Sequence, residues 1–396
     1  MFFTTRLGGG GAERHLLRLI NHLDRDRFRP SLVLARAGGS YEVALAPDVA
    51  VHFLNSGRVR SSTRSMVQSM EPLRRRVEHE QPDILCSVLG IAHVVALLAC
   101  RSSSGLIKNI LSVQNPPSIE YQRSRNPVHR LIGLLIPRLY PRADQINALS
   151  RGVARDVIKM VPAVEGRTDV VYNAGFDGSV LEQARDPLAA AERPNRGPLV
   201  LACGRLTKQK GFEFLLEAFV NVRRGMSAQL WIIGEGEQRR MLEQMIERLG
   251  LTDCVRLLGF QPNPFKYMAA ADAFVLPSIW EGFGNVIVEA MACGTPVIAS
   301  NCRYGPAEII TDEMNGILVP PADPLALSQA LIRVLSDSAL RQHLSQNGQE
   351  RSKDFSAAAI ASLYESLFLR VVHDQPKSDD GSEVELAARQ GVIRSR

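Results

Sequence analysis

Short apolar runs alternate along this chain with longer stretches in which apolar residues recur every three or four positions. The runs at Pro30 to Leu34, Ile84 to Leu89, Ile107 to Val113, Gln145 to Leu149 and Val170 to Tyr172 read as strands. The stretch Leu16, Leu17, Leu19, Ile20, Leu23 has helical spacing and follows a short apolar run at Phe2-Phe3. Strands without strict polar alternation, separated by helix-period segments, predict parallel sheets covered by helices on both faces. The pattern breaks over Asp186 to Pro198, which carries three prolines and reads as a linker. It then restarts with strands at Leu199 to Cys203, Gln229 to Ile233, Val255 to Leu258, Ala273 to Leu276 and Val297 to Ala299. Near the end, Ile360, Leu363, Tyr364, Leu367, Phe368 and Val371 mark an amphipathic helix, and the polar sequence beyond His373 reads as a disordered tail.

The expected organisation is therefore a first Rossmann-like domain over residues 1–185, a linker at 186–198, a second Rossmann-like domain over 199–355, a helix at 356–373 and a tail at 374–396. A length of 396 residues agrees with two cores. Composition excludes some classes: 45% apolar and 22% charged residues describe a globular chain. The six cysteines are scattered without a Cys-x-x-Cys pair and read as small core residues in a reducing compartment. No apolar stretch approaches the roughly 20 residues of a membrane helix, and no secretory signal precedes the first motif. A cytoplasmic location is expected, extending to the inner face of the membrane. Charge is uneven: residues 1–193 hold 26 Lys and Arg against 18 Asp and Glu, and residues 194–396 hold 21 against 23. Any large anionic partner is expected at the first half.

Three segments carry candidate chemistry. Gly8 to Gly11 lie between a short strand and a helix, where a backbone without side chains approaches a phosphate and the helix start offers N–H groups. Its spacing matches neither the dinucleotide fingerprint nor the Walker loop. In Gly204 to Gly211, directly after a strand, Arg205 and Lys210 supply two cations that can grip a diphosphate, with Lys208 the solvated member. In the run Glu281 to Ala299, Gly282 and Gly284 put Glu281 on a loop, while Glu289 falls about a turn inside a helix starting near Asn285. A loop carboxylate accepts hydrogen bonds from sugar hydroxyls, a helical one can hold both hydroxyls of a ribose, and the N–H groups between them can meet phosphate oxygens.

These segments, with Ala271 to Ser278, Ala292 to Val297, the opening Gly10 to Arg14 and Tyr172-Asn173, resemble glycosyltransferase family 4 over most of residues 1 to about 370. The resemblance implies an α/β chain of GT-B fold, two Rossmann-like domains facing across a cleft, that transfers a sugar from a nucleotide diphosphate sugar with retention and without a metal. Carried over, Arg205 and Lys210 bind the donor diphosphate, Glu289 the ribose, and Glu281 with Phe283, Gly284, Asn285 and Val286 the transferred sugar and its phosphate. Gly10 and Gly11 close on the diphosphate from the other domain. Where many members carry a histidine, this chain reads Val113-Gln114-Asn115-Pro116-Pro117; Gln114, Asn115 or the nearby His93 takes that place. The expected acceptor is a glycan or lipid-linked glycan in polysaccharide or glycoconjugate synthesis. No cofactor and no nucleic-acid partner is expected. Tyr121 to Arg142, basic with an apolar run at Leu131 to Ile136, is a candidate contact with an anionic membrane surface, or a helix packing inward. The alternatives are a GT-B epimerase or phosphorylase, and a sugar-nucleotide-binding protein without turnover. A glycoside hydrolase would need no diphosphate-binding cations.

Overall fold

A computed structural model describes residues 1–39, 41–55, 62–100, 107–122, 126–188 and 197–373. Two compact units result.

The first unit is built from β1 (Phe2–Thr4), α1 (Gly11–His22), β2 (Ser31–Arg36), β3 (Ala50–Asn55), α2 (Ser62–Gln68), α3 (Met70–Glu80), β4 (Ile84–Val88), α4 (Gly90–Ala99), β5 (Lys108–Val113), α5 (Pro127–Leu139), β6 (Gln145–Ala148), α6 (Arg151–Met160) and β7 (Thr168–Val170). Its sheet is parallel, in the order β3-β2-β1-β4-β5-β6-β7. Phe3, Val33 and Leu85 pack against Met66, Leu73, Val77, Ala92, Val95 and Ala96 of α2, α3 and α4. Helix starts follow side-chain chemistry: Asn126 caps α5, with Pro127 at its first position, and Ser150 caps α6.

The second unit continues with α7 (Gly178–Ala184), β8 (Leu199–Cys203), α8 (Phe212–Gly225), β9 (Gln229–Ile233), α9 (Arg239–Arg248), β10 (Val255–Gly259), α10 (Phe265–Ala270), β11 (Ala273–Leu276), α11 (Asn285–Ala292), β12 (Val297–Ser300), α12 (Pro306–Ile309), β13 (Ile317–Val319), α13 (Pro324–Ser336) and α14 (Ser338–Ser352). Its parallel order is β10-β9-β8-β11-β12-β13. Leu215, Leu216, Phe219 and Val222 of α8 join α9 and α13 on Val200, Leu230, Ile232 and Val275, while Trp231 faces Tyr267 of α10. β3 and β13 escape the sequence reading for different reasons: β3 has no buried position, and β13, though apolar, is only three residues long.

The boundary differs from the expected one. The first unit ends at Ala174 and the second begins at Gly175, eleven residues before the predicted linker. Residues after Gly175 are held by the second unit: Gly175 N–H donates to Phe355 O at 2.8 Å, and Asn263 Nδ2 donates to Gln183 O and to Asp186 Oδ2, each at 2.8 Å. The final helix α15 (Ala357–Val372) is no appendage. It packs into the first unit against α1, with Phe368 set edge-on to Phe2 at 6.0 Å. The central linker residues 189–196 and the tail 374–396 lie outside the described residues. The six cysteines carry no disulfide, and four are buried. Burial pushes the Cys86, Cys293 and Cys302 thiols up to about 12, so they are not nucleophiles at neutral pH. Among the described residues no helix is long and apolar enough to cross a membrane.

Candidate active site

In both sheets the strand order reverses beside the first strand, between β1 and β4 and between β8 and β11. Loops leaving the carboxyl ends of two such strands diverge to opposite faces and open a crevice, which is where open α/β sheets bind ligands. In the second unit those loops are Gly204 to Gly211 after β8 and Pro277 to Gly284 after β11. They are the two segments that the sequence singles out.

Backbone geometry brings the two loops together. Gly211 has φ 61°, and a Cβ there would stand 2.3 Å from Pro277 O. Ile279 N–H donates to Gln209 O at 2.8 Å, and Gln209 Nε2 to Trp280 O at 3.1 Å. Across this seam Lys210 Nζ reaches Glu281 Oε1 at 2.5 Å. Ser278 Oγ donates to the same oxygen at 2.6 Å. Glu281 is only 6% exposed and Ser278 fully buried, so the pair sits in low dielectric, where a lone charge would be costly. Both donors engage Oε1 and fix the plane of the carboxylate.

Gly284, at φ 102°, turns the chain into α11 without a side-chain cap. Glu289 lies on the second turn of α11 and is 1% exposed. Asn285 and Val286 are half-buried at the helix start. Phe283 is different: its ring is buried edge-on against Phe355 at 5.4 Å, so it offers a ligand its main chain only. Gly305 lies against it, and a Cβ there would stand 2.3 Å from Phe283 O. Arg205 and Lys208 are exposed on their loop. The structure thus joins Lys210 to Glu281 directly and adds Ser278, which sequence reasoning passed over although it stands three residues before Glu281. Among the described residues no group of three or more His, Cys, Asp or Glu side chains is arranged around a metal position.

In the first unit Gly10 stands just before α1 and Gly11 begins it. A Cβ on Gly10 would stand 2.2 Å from Glu13 Oε2, so the glutamate reaches back over the loop. His93 lies on the first turn of α4 and is 1% exposed, with its Nδ1 2.9 Å from Ser87 Oγ. Burial holds its pKa down at about 3. Gln114 and Asn115 line the same cleft as His93. The Gln114 amide is occupied at both ends, donating to Ser112 Oγ at 2.9 Å and accepting from Asn173 Nδ2 at 3.0 Å. A second buried histidine, His15, accepts from Ala174 N–H at 2.9 Å through Nδ1, which leaves the ring proton on Nε2, 3.3 Å from Tyr364 Oη.

The model of Glycosyltransferase Family 4 matches residues 9–174, and that of glycosyl transferases group 1 matches residues 186–351. The lipopolysaccharide core biosynthesis glycosyltransferase LpsE of Rhizobium meliloti is 36% identical over 358 residues, 90% of this chain and 94% of that one. This chain belongs to glycosyltransferase family 4. A second relative of this family 4 enzyme is the Campylobacter jejuni N-acetylgalactosamine-N,N'-diacetylbacillosaminyl-diphospho-undecaprenol 4-alpha-N-acetylgalactosaminyltransferase, 29% identical over 91% of this chain and 96% of that one. Among solved structures, Anabaena HepE in complex with UDP and glucose superposes with a TM-score of 0.75 at 23% identity, over 92% of this chain and 98% of that one. The family 4 enzyme accordingly has the GT-B fold of paired Rossmann-like units, and it is a glycosyltransferase.

Proposed function

We propose that this glycosyltransferase moves a sugar, with retention and without a metal, from a nucleoside diphosphate sugar to a glycan carried on a lipid diphosphate at an anionic membrane surface. The observation that carries the reading is the buried Lys210–Glu281–Ser278 cluster at the switch point of the second unit. The bond between the sugar's anomeric carbon and the diphosphate oxygen breaks, and a bond from the acceptor hydroxyl oxygen to that carbon forms. The hydroxyl proton leaves to the diphosphate. Negative charge grows on the leaving group, so fixed cations and helix N–H groups stabilise the transition state more than the bound donor. Lys210, Arg205 and the start of α11 fill that role. Glu281, with Oε1 tied by two donors, keeps Oε2 for sugar hydroxyls, and Glu289 takes the ribose.

Two relatives support the substrate classes: the HepE complex holds UDP and glucose, and the Campylobacter jejuni enzyme is named for an undecaprenol diphosphate acceptor. For the membrane, α5 exposes Leu131 at 56% and Leu134 at 68%, flanked by exposed Arg130 and Arg138. Such a face suits the headgroup boundary. Arg123 and Arg125 of the same stretch lie outside the described residues.

The test is a screen of UDP-, GDP- and ADP-sugars for thermal stabilisation, followed by product analysis with and without excess chelator. At least one donor should raise the melting temperature, give an α-linked product from an α-linked donor, and work equally in chelator. Inversion, or loss of activity in chelator, would overturn the corresponding part. Sedimentation with phosphatidylglycerol-containing but not phosphatidylcholine vesicles, weakened by Leu131→Ser/Leu134→Ser, is expected; equal recovery with both lipids would remove the membrane from the proposal.

A further inference from the structure

Gly284 gives the start of α11 no side-chain cap. A serine, threonine, asparagine or aspartate in its place could take up one of the first N–H groups of the helix and compete for it with a phosphate. A helix start left open to a ligand has to be held in position by other means, and Phe283, the residue before Gly284, is where the structure holds it. Its ring stands edge-on to Phe355 at 5.4 Å. Its carbonyl oxygen lies against Gly305, which has φ 87° and where a Cβ would come within 2.3 Å of that oxygen. Gly305 directly precedes α12, so Phe283 has two supports in the second unit: the Phe355 ring and the start of α12.

One side chain joins these supports. From the last turn of α14, Arg351 Nη2 donates to Glu308 O at 2.8 Å and Nε to Ile309 O at 3.0 Å. Those are the last carbonyls of α12, which a helix leaves without internal donors. Nη1 donates to Asp354 Oδ2 at 2.8 Å, and the guanidinium carbon stands 4.7 Å from the centre of the Phe355 ring. The side chain is 12% exposed, and each of its three nitrogens donates to a protein acceptor. A surface ion pair with Asp354 would not require that withdrawal from water. Only a planar fork can direct bonds at two successive carbonyls and lay its face on a ring at the same time; an ammonium cannot.

We infer that Arg351 is a positioning residue for sugar transfer: acting through Phe355 and α12 on Phe283, it holds the N–H groups at the start of α11 in register with the donor diphosphate. The inference rests on the proposed function for the presence of a diphosphate at that helix start. Because the guanidinium nitrogens are all engaged by protein, its part is to hold the helix start and not to bind the substrate.

The experiment compares wild type, Arg351→Met and Arg351→Lys as full chains, at a temperature where each is folded by circular dichroism. UDP, GDP and ADP are titrated, each beside its own nucleoside, by calorimetry and ligand-observed NMR. For the base that wild type binds best, the diphosphate should bind Arg351→Met about tenfold more weakly, while the nucleoside binds as it does to wild type. Arg351→Lys keeps the charge and loses the fork, and it should fall nearer to Arg351→Met than to wild type. Phe355→Leu should weaken the diphosphate similarly, and adding it to Arg351→Met should cost much less than the product of the two effects, since both act by one route. Arg333→Met, which removes an exposed pair with Glu313 in the same unit, should leave the ratio of the two affinities unchanged. A merely structural Arg351 would lower the melting temperature and leave that ratio where it is; this result, or equal weakening of both ligands, overturns the inference. Should no Arg351 variant fold, amide exchange in wild type decides. Coupling is reciprocal, so the diphosphate and not the nucleoside should slow the amides of Ile310 and Ser356, which donate to Pro306 O at 2.8 Å and Lys353 O at 3.1 Å beside the two supports. No slowing overturns the inference. If wild type binds none of the three diphosphates, the proposed function falls and this inference with it, whereas binding with an unchanged ratio sinks this inference alone.

Discussion

The two units share a strand order and a switch point, yet they equip it in opposite ways. In the second unit the crevice loops carry charge, with Lys210 and Glu281 meeting at 2.5 Å across 71 residues of sequence. In the first, the carboxyl ends of the strands are surrounded by buried neutral groups: His15, His93, Ser112, Gln114, Asn147 and Asn173. Tyr364 of α15 gathers several of them, receiving a hydrogen bond from Asn147 Nδ2 at 2.6 Å and standing 3.3 Å from His15 and 3.4 Å from Ser112. A pair of opposite charges on two adjacent loops is a compact arrangement, whereas a set of uncharged hydrogen bonds is assembled from wherever the fold brings donors and acceptors into contact.

The strongest way to break this contrast is to remove the charge while keeping the volume. Lys210→Met/Glu281→Gln should fold with a melting temperature near wild type, because a neutral pair replaces a buried ion pair, while transfer falls by about a thousandfold or more. Lys210→Met alone strands the carboxylate and should cost stability as well, about 3–5 kcal/mol. Retention of activity in the double variant would show that the charges are structural only.

Acid should separate the units next. His15 and His93 are held neutral in the fold, each with its pKa lowered to about 3 mainly by burial, whereas the unfolded chain takes up those protons near 6.5. Between these values the unfolded state binds more protons, so stability falls as pH drops from 6.5 towards 3, by about 1.4 kcal/mol per pH unit for each ring. At pH 5 the two together should cost roughly 4 kcal/mol. The second unit contains one histidine, His343, which is exposed on α14. Amide exchange should therefore rise over residues 1–174 before residues 175–356, and His93→Gln should halve the pH slope. Simultaneous opening would show that acid sensitivity lies elsewhere.

Backbone fit in the charged seam gives a smaller effect. Gly211→Ala puts a Cβ 2.3 Å from Pro277 O at φ 61° and should cost about 1–3 kcal/mol, with a raised donor KM. Gly225→Ala, where a Cβ meets open space, should leave the melting temperature within about 0.5 kcal/mol of wild type. Equal melting temperatures for the two variants would remove the seam from the argument. Smallest should be Ser278→Ala, which deletes one of two hydrogen bonds to Glu281 Oε1 and is expected to lower kcat about fivefold, about 1 kcal/mol, with Ser278→Thr restoring it. An unchanged kcat would leave Lys210 as the sole orienting partner.

Most of the fold was legible because buried parallel strands are apolar throughout and helices keep a 3.6-residue period. Ten strands appear within a residue or two of where the pattern puts them. The misses have physical causes. β3 has no buried position, so its apolar signal thins, and β13 is apolar but three residues long, too short for a period to show. The unit boundary moved to Ala174 because α7 is short and polar in sequence, and only its packing on α10 and α11 assigns it to the second unit. Gly204 to Gly211 and Glu281 to Glu289 announced themselves because charged residues next to glycines at strand ends are hard to explain as packing.

By itself, then, the sequence determined that two doubly wound units form, that the second carries cations and carboxylates on adjacent loops, and which family the chain resembles, since all of these are written in local periodicity and in motifs shorter than twenty residues. Only the tertiary structure decided that Ser278 and Lys210 share one oxygen of Glu281, that α15 closes the first unit through Tyr364, and that His93 has Ser87 on one nitrogen and nothing on the other. Those facts depend on ångström-scale contacts between groups that are distant in sequence or set by a strained turn, and neither hydrophobic period nor motif spacing encodes such distances.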